Sequence, residues 1–158
     1  YWYNQAILTV RRGFMAIVEK SVLIGHSAAK MYALVADVEA YPQFLPWCSG
    51  TEVRLLDAHK AVATLHVNYH GLRLHFTTEN QMDQGALIDM KLVNGPFKHL
   101  DGFWRFVPLA EDACKIEFRL SYELSGKLVE KLAGPVFNHI ANTFVEVFVK
   151  RAVTLYGS

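Results

Sequence analysis

Cysteine is scarce in this chain: Cys48 and Cys114 are the only two in 158 residues, and they form no C-x-x-C pair. They read as reduced thiols of a cytoplasmic protein rather than as a disulfide or thiolate-metal framework. Clustered positive charge is absent as well. No basic run exceeds two residues (Arg11-Arg12 and Lys150-Arg151), and 16 Lys and Arg stand against 15 Asp and Glu. Binding nucleic acid mainly through phosphates needs several grouped cations, which the sequence does not supply. No stretch approaches the ~20 consecutive apolar residues of a spanning helix.

The familiar catalytic patterns are missing too. There is no G-x-S-x-G elbow, and neither Gly95-Pro96-Phe97 nor Gly134-Pro135 is a glycine-rich phosphate loop leading to a helix with Lys. Asp37 and Glu39 near a helix end read as solvated or capping acids. His66, His70 and His75 fall on polar strand faces around a turn. A zinc site needs three or four ligands with an oriented second shell, and no nearby Cys or suitably spaced acid completes one. No catalytic residue, metal or cofactor is therefore assigned.

What the chain has in quantity is apolar surface: 52% hydrophobic and 13% aromatic residues, against 20% charged. The length suits one domain. Residues 15–158 are expected to form it, and residues 1–14 an extension that is either unstructured or adds a short strand.

Ala16 to Ile24 has the pattern of a strand with Val18, Val22 and Ile24 on one face. Ser27 is placed to cap a helix carrying Met31, Leu34, Val35 and Val38 at helical spacing. Period-two alternation then runs from Thr51 to Leu124. It predicts strands over 51–56, 61–69, 72–78, 86–93, 102–109 and 115–124, with a turn at His70-Gly71. In the last of these Ile116, Phe118, Leu120, Tyr122 and Leu124 face inward, so the sheet is antiparallel with one buried face. A helix starts at Lys127, is expected to break or kink at Gly134-Pro135, and continues to about Tyr156. The fold class is α+β: a curved antiparallel sheet gripping a long C-terminal helix.

Between the first helix and the sheet lies Asp37-Val-Glu-Ala-Tyr-Pro-Gln-Phe-Leu-Pro-Trp-Cys48. Its two prolines stiffen it, and Tyr41, Phe44, Leu45 and Trp47 are costly to leave in water. A rigid aromatic loop beside a curved sheet commonly walls a pocket. Burying ~400 Å² of a prenylated ligand at ~25 cal/mol per Å² supplies on the order of 10 kcal/mol before association costs. Binding of that kind needs no catalytic signature.

That segment, together with Asn94-Gly-Pro-Phe-Lys-His-Leu-Asp-Gly-Phe-Trp104 and Phe148-Val-Lys-Arg-Ala-Val-Thr-Leu-Tyr-Gly157, resembles the coenzyme Q-binding, START-like family (related to polyketide cyclases/dehydrases). Its bacterial branch includes the ribosome-association toxin A proteins. The resemblance spans Met15 to Gly157 and implies a helix-grip fold around an apolar cavity. It implies non-enzymatic binding of ubiquinone or a similar prenyl lipid in support of respiration, in the cytoplasm with a peripheral contact at the inner membrane. The alternative that it carries is a toxin of a toxin-antitoxin pair that binds the large ribosomal subunit and inhibits translation. An aromatase/cyclase-like enzyme ranks third, because the inward strand faces are nearly all apolar. Carried over by position, Tyr41, Pro42, Phe44, Leu45, Pro46 and Trp47 would form the cavity mouth. Gly95, Pro96, Phe97, Gly102 and Trp104 would form the facing turn and strand. Phe76, Phe118, Phe137, Phe144 and Phe148 complete the expected ligand-binding set.

Overall fold

The computed structural model describes residues 2–12 and 15–157. The strands are β1 (Trp2–Arg12), β2 (Met15–Ile24), β3 (Cys48–Leu55), β4 (Lys60–Tyr69), β5 (Leu72–Asp83), β6 (Leu87–Asn94), β7 (Phe97–Ala110) and β8 (Ala113–Leu124). Helix α1 (Ala28–Ala36) and a 3-10 turn (Val38–Gln43) lie between β2 and β3, and α2 (Lys127–Tyr156) ends the chain. The eight strands form one antiparallel sheet in the order β1-β2-β8-β7-β6-β5-β4-β3, which curves around α2. This is the α+β helix-grip architecture that the sequence predicts. Within the N-terminal extension, β1 pairs along β2 from Arg12↔Met15 to Trp2↔Ile24.

Local chemistry explains the elements. The Ser27 side chain accepts the Lys30 backbone N–H at 3.1 Å and caps α1. His70 (φ 50°) and Gly71 (φ 83°) form the tight β4–β5 turn, whose left-handed twist a glycine tolerates. In β8 the inward Ile116, Phe118, Tyr122 and Leu124 are all buried, as their alternation predicts. The expected break at Gly134-Pro135 does not occur, since α2 is one helix of 30 residues with Pro135 inside it. Pro135 and Lys131, whose carbonyl loses its helical donor to the proline, are both exposed. Water can therefore serve that carbonyl.

Two boundaries differ from expectation by several residues. β7 starts at Phe97 rather than Gly102, and β5 continues past Thr78 to Asp83. Inward position 80 is thereby added to the concave face.

The core joins this face to α2 and α1. Trp104 is its centre, with ring centroids 4.7 Å from Phe118, 5.2 Å from Phe148 and 5.6 Å from Phe144. Both cysteines are buried, as single thiols. Burial pushes the Cys114 thiol from its ordinary 9.0 up to about 11. Between those values the unfolded chain loses this proton and the folded chain keeps it. The contribution is thus intact below pH 9.0 and is lost as pH rises through about 11. Native Cys114 is expected to resist iodoacetamide at about pH 8 and to be alkylated only after denaturation. Rapid labelling of the native protein, followed by peptide mass spectrometry, would contradict this.

Candidate functional site: an apolar cavity under the sheet

The Pro-rich aromatic loop closes over α2. Tyr41 is buried in the 3-10 turn, and its hydroxyl donates to the Val35 carbonyl at 2.5 Å. Burial raises its phenol well above the ordinary range. Its ring meets Phe148 edge-on at 5.2 Å. Trp47 is 3% exposed and lies 6.0 Å from Phe144. From outside, the Arg151 guanidinium covers the Phe44 ring at 5.0 Å and donates to Gln43 Oε1 at 3.1 Å. The loop is therefore pinned to the end of α2 by stacking and one hydrogen bond.

Beneath it lies a cavity of about 70 Å³, bounded by the concave face of β4–β8 and by α2. Tyr41, Trp47, Phe76, Trp104, Phe118, Phe137 and Phe144 all line it. The other expected residues stand back from it. Leu45, Phe97 and Phe148 are core, with Phe97 packed on Phe137 at 4.8 Å. Pro42 and Pro46 are exposed and Phe44 is half-buried. Gly95 has a steric reason to be glycine: its φ is +152°, and a Cβ there would lie 2.7 Å from Phe76 Cβ.

A second void of about 70 Å³ adjoins the first towards β3 and β6. The two share Val38, Tyr41, Ala63, Asn80, Met90 and Trp104. An engineered cavity that holds benzene measures roughly 150 Å³. Each void is about half that size, so even a single ring must displace the side chains between them. Met82 and Met90 on these walls are the most readily displaced.

The small side chains that leave this room, Ala63 and Ala141, carry no signal in the sequence beyond their inward phase. Asn80 was also missed, because the strand was expected to stop before it, and Thr78, at the expected strand end, carries no apolar signal. Thr78 Oγ1 donates to Asn80 Oδ1 at 2.7 Å, and both residues are 8% exposed. Among the described residues, no carboxylate, histidine, lysine or cysteine lines either void. Such a wall can hold a ligand by burial and a hydrogen bond, but it presents no acid-base pair.

The histidines of the convex side lie apart. His66 and His75 are register partners with rings 5.6 Å apart, and His66 Nε2 lies 3.0 Å from Glu52. No group of three potential metal ligands occurs among the described residues.

The family model for polyketide cyclase/dehydrase and lipid transport matches residues 24–149. This chain belongs to that family. The Ribosome association toxin RatA of Vibrio cholerae (strain O395) is 45% identical over 143 residues, covering 90% of this chain and 99% of that protein. The mitochondrial Coenzyme Q-binding protein COQ10 homolog B of Xenopus laevis is 31% identical over 144 residues, covering 87% of this chain and 58% of that protein. Among solved structures, a START superfamily protein from Mycobacterium smegmatis aligns with TM-score 0.69 at 26% identity, over 88% of this chain and 98% of the other. The Zhui aromatase/cyclase from Streptomyces sp. R1128 aligns with TM-score 0.64 at 22% identity, over 87% of this chain and 86% of the other. At that identity the last likeness concerns the fold alone. The family and the bacterial branch that the three sequence motifs point to are thus the ones found, and the relatives named here as toxin and coenzyme Q-binding protein are not named as enzymes.

Proposed function

We propose that this protein associates with the ribosome and thereby restrains translation, with the large subunit as its partner. The reading rests on the 45% identity to a ribosome association toxin across nearly the whole of both chains. It reverses the order of the two functions that the sequence motifs suggested. The charges on the convex face suit a contact with ribosomal protein, or with RNA through shape, better than a phosphate-neutralising grip. Arg105 and Lys115 share Glu117 at 3.3 and 3.5 Å, Arg119 meets Glu19 at 3.4 Å, and Lys98 meets Glu123 at 3.6 Å. Cations already paired have less to gain from phosphates. The test is sedimentation of lysates after induced expression. The expected result is a rise of free subunits at the expense of assembled ribosomes, and an unchanged profile would refute the reading.

A second function, binding of ubiquinone or a similar prenyl lipid without catalysis, is favoured by one observation: the almost wholly apolar cavity between sheet and α2. Peripheral contact with the inner membrane would belong to this role, for loading. Lipids extracted from the purified protein are expected to include a quinone, and added quinone should quench Trp47 and Trp104 saturably. Absence of both results would remove this function. Ala63→Leu places a larger side chain in the void and is expected to abolish the quenching. It should change stability by less than about 1–3 kcal/mol, the usual cost of overpacking.

A further inference from the structure

We propose that Asn80, held in place by Thr78, is the hydrogen-bond donor by which this cavity selects a carbonyl-bearing ring over a plain hydrocarbon. The inference rests on the lipid-binding reading and adds the group that would recognise the ligand.

Asn80 sits on the inward face of β5, between Ala61 of β4 and Met90 of β6. It is 8% exposed and lines both voids. Its carbonyl oxygen is engaged by the Thr78 hydroxyl at 2.7 Å. That bond orients the amide and leaves its nitrogen with two N–H donors to give. No hydrogen-bond partner for this nitrogen occurs among the described residues.

An amide whose donors go unused beside an apolar wall is costly even though its nitrogen borders open space rather than being fully buried, and leucine has almost the same shape. Water is a poor substitute here, since a trapped water needs two to four polar partners. Among the other described side chains on these walls, the Tyr41 hydroxyl is already committed to the Val35 carbonyl, and the Trp47 and Trp104 indoles can donate but not accept. A ligand oxygen that accepts from Asn80 would resolve the imbalance. Because Asn80 lines both voids, a ring seated across them would bring its own substituents to the amide, so the acceptor belongs on the ring itself, as a quinone carbonyl does.

The test uses a matched pair of probes with one carbon skeleton: tetramethyl-1,4-benzoquinone and 1,2,4,5-tetramethylbenzene. Binding is read from the rise in melting temperature and from shifts of the Trp47 and Trp104 indole N–H resonances. The wild-type protein is expected to prefer the quinone by about tenfold, the size of one net hydrogen bond. Asn80→Leu, and the double variant Thr78→Val/Asn80→Leu, should erase that preference while binding the hydrocarbon as well as before. Without ligand, the double variant should melt at or above the wild-type temperature, because it removes both polar partners together. A preference that survives in both variants would overturn the proposal, and so would a wild type that binds both probes equally. Lower stability of the ligand-free double variant would mark the pair as structural and overturn it too. If the wild type binds neither probe, the lipid-binding reading falls first and this proposal with it.

Discussion

Glu146→Ala is expected to lower the free energy of unfolding by about 3 kcal/mol, among the largest single effects available outside the aromatic core. Lys20 lies in phase with Val18 and Val22 on the buried face of β2, and its side chain is 2% exposed. Its ammonium forms an ion pair with Glu146 of α2, whose side chain is 26% exposed. Burial pushes the Lys20 ammonium below its ordinary range, and the Glu146 carboxylate is the opposite charge that faces it. Removing Glu146 leaves that charge buried without compensation. Replacing both partners, as in Lys20→Met/Glu146→Gln, should return stability to within about 1 kcal/mol of the wild type. Urea unfolding followed by Trp fluorescence measures both. Equal losses in the single and double variants would show that the pair is not what holds Lys20 in place. For a domain of this length the single variant should melt roughly 6–12 °C lower.

Gly102→Ala is expected to be as severe, for a steric reason. A Cβ at Gly102 would lie 2.3 Å from the Arg119 carbonyl oxygen and 3.1 Å from Leu120 Cα. Both are backbone atoms of the neighbouring strand, in register with Gly102, so no side-chain rotation relieves the contact. β7 and β8 would have to part at the point where Trp104 and Phe118 build the cavity wall. A loss of roughly 3 kcal/mol or more follows, within the range of severe backbone and overpacking changes. Thermal unfolding measures it, and hydrogen exchange should show lost protection in β7 and β8. A variant as stable as wild type would mean that the strands separate at little cost.

Much of this was legible in the sequence because the chain states it repeatedly. The alternation of β4 and β8 and the Ser27 cap each depend on residues a few positions apart. The start of β7 was hidden by Lys98 and His99, whose polar side chains interrupt the apolar pattern; Lys98 falls at an irregularity in the pairing, while His99 still pairs with Glu123. The end of β5 was hidden in the same way by Glu79 and Gln81 on its outer face. Lys20 and Asn80 expose the deeper limit. Period two places both inward, yet composition argues against burying either. What licenses their burial is another group brought alongside by the fold, Glu146 for one and Thr78 beside a void for the other. For the site, the aromatic inventory located the walls, whereas the room between them comes from alanines that look like any others.

The position of α2 after all eight strands also has a consequence for synthesis. The sheet is complete once β8 has been made, but its concave face has nothing to close against until Lys127–Tyr156 follows. Lys20, near the start, then waits for Glu146 as its partner. A ribosome making this protein therefore carries an open, greasy sheet until α2 has emerged, a period when chaperones or other nascent chains compete for that face. A stop codon shortly before α2 should yield an insoluble product rather than a smaller folded domain.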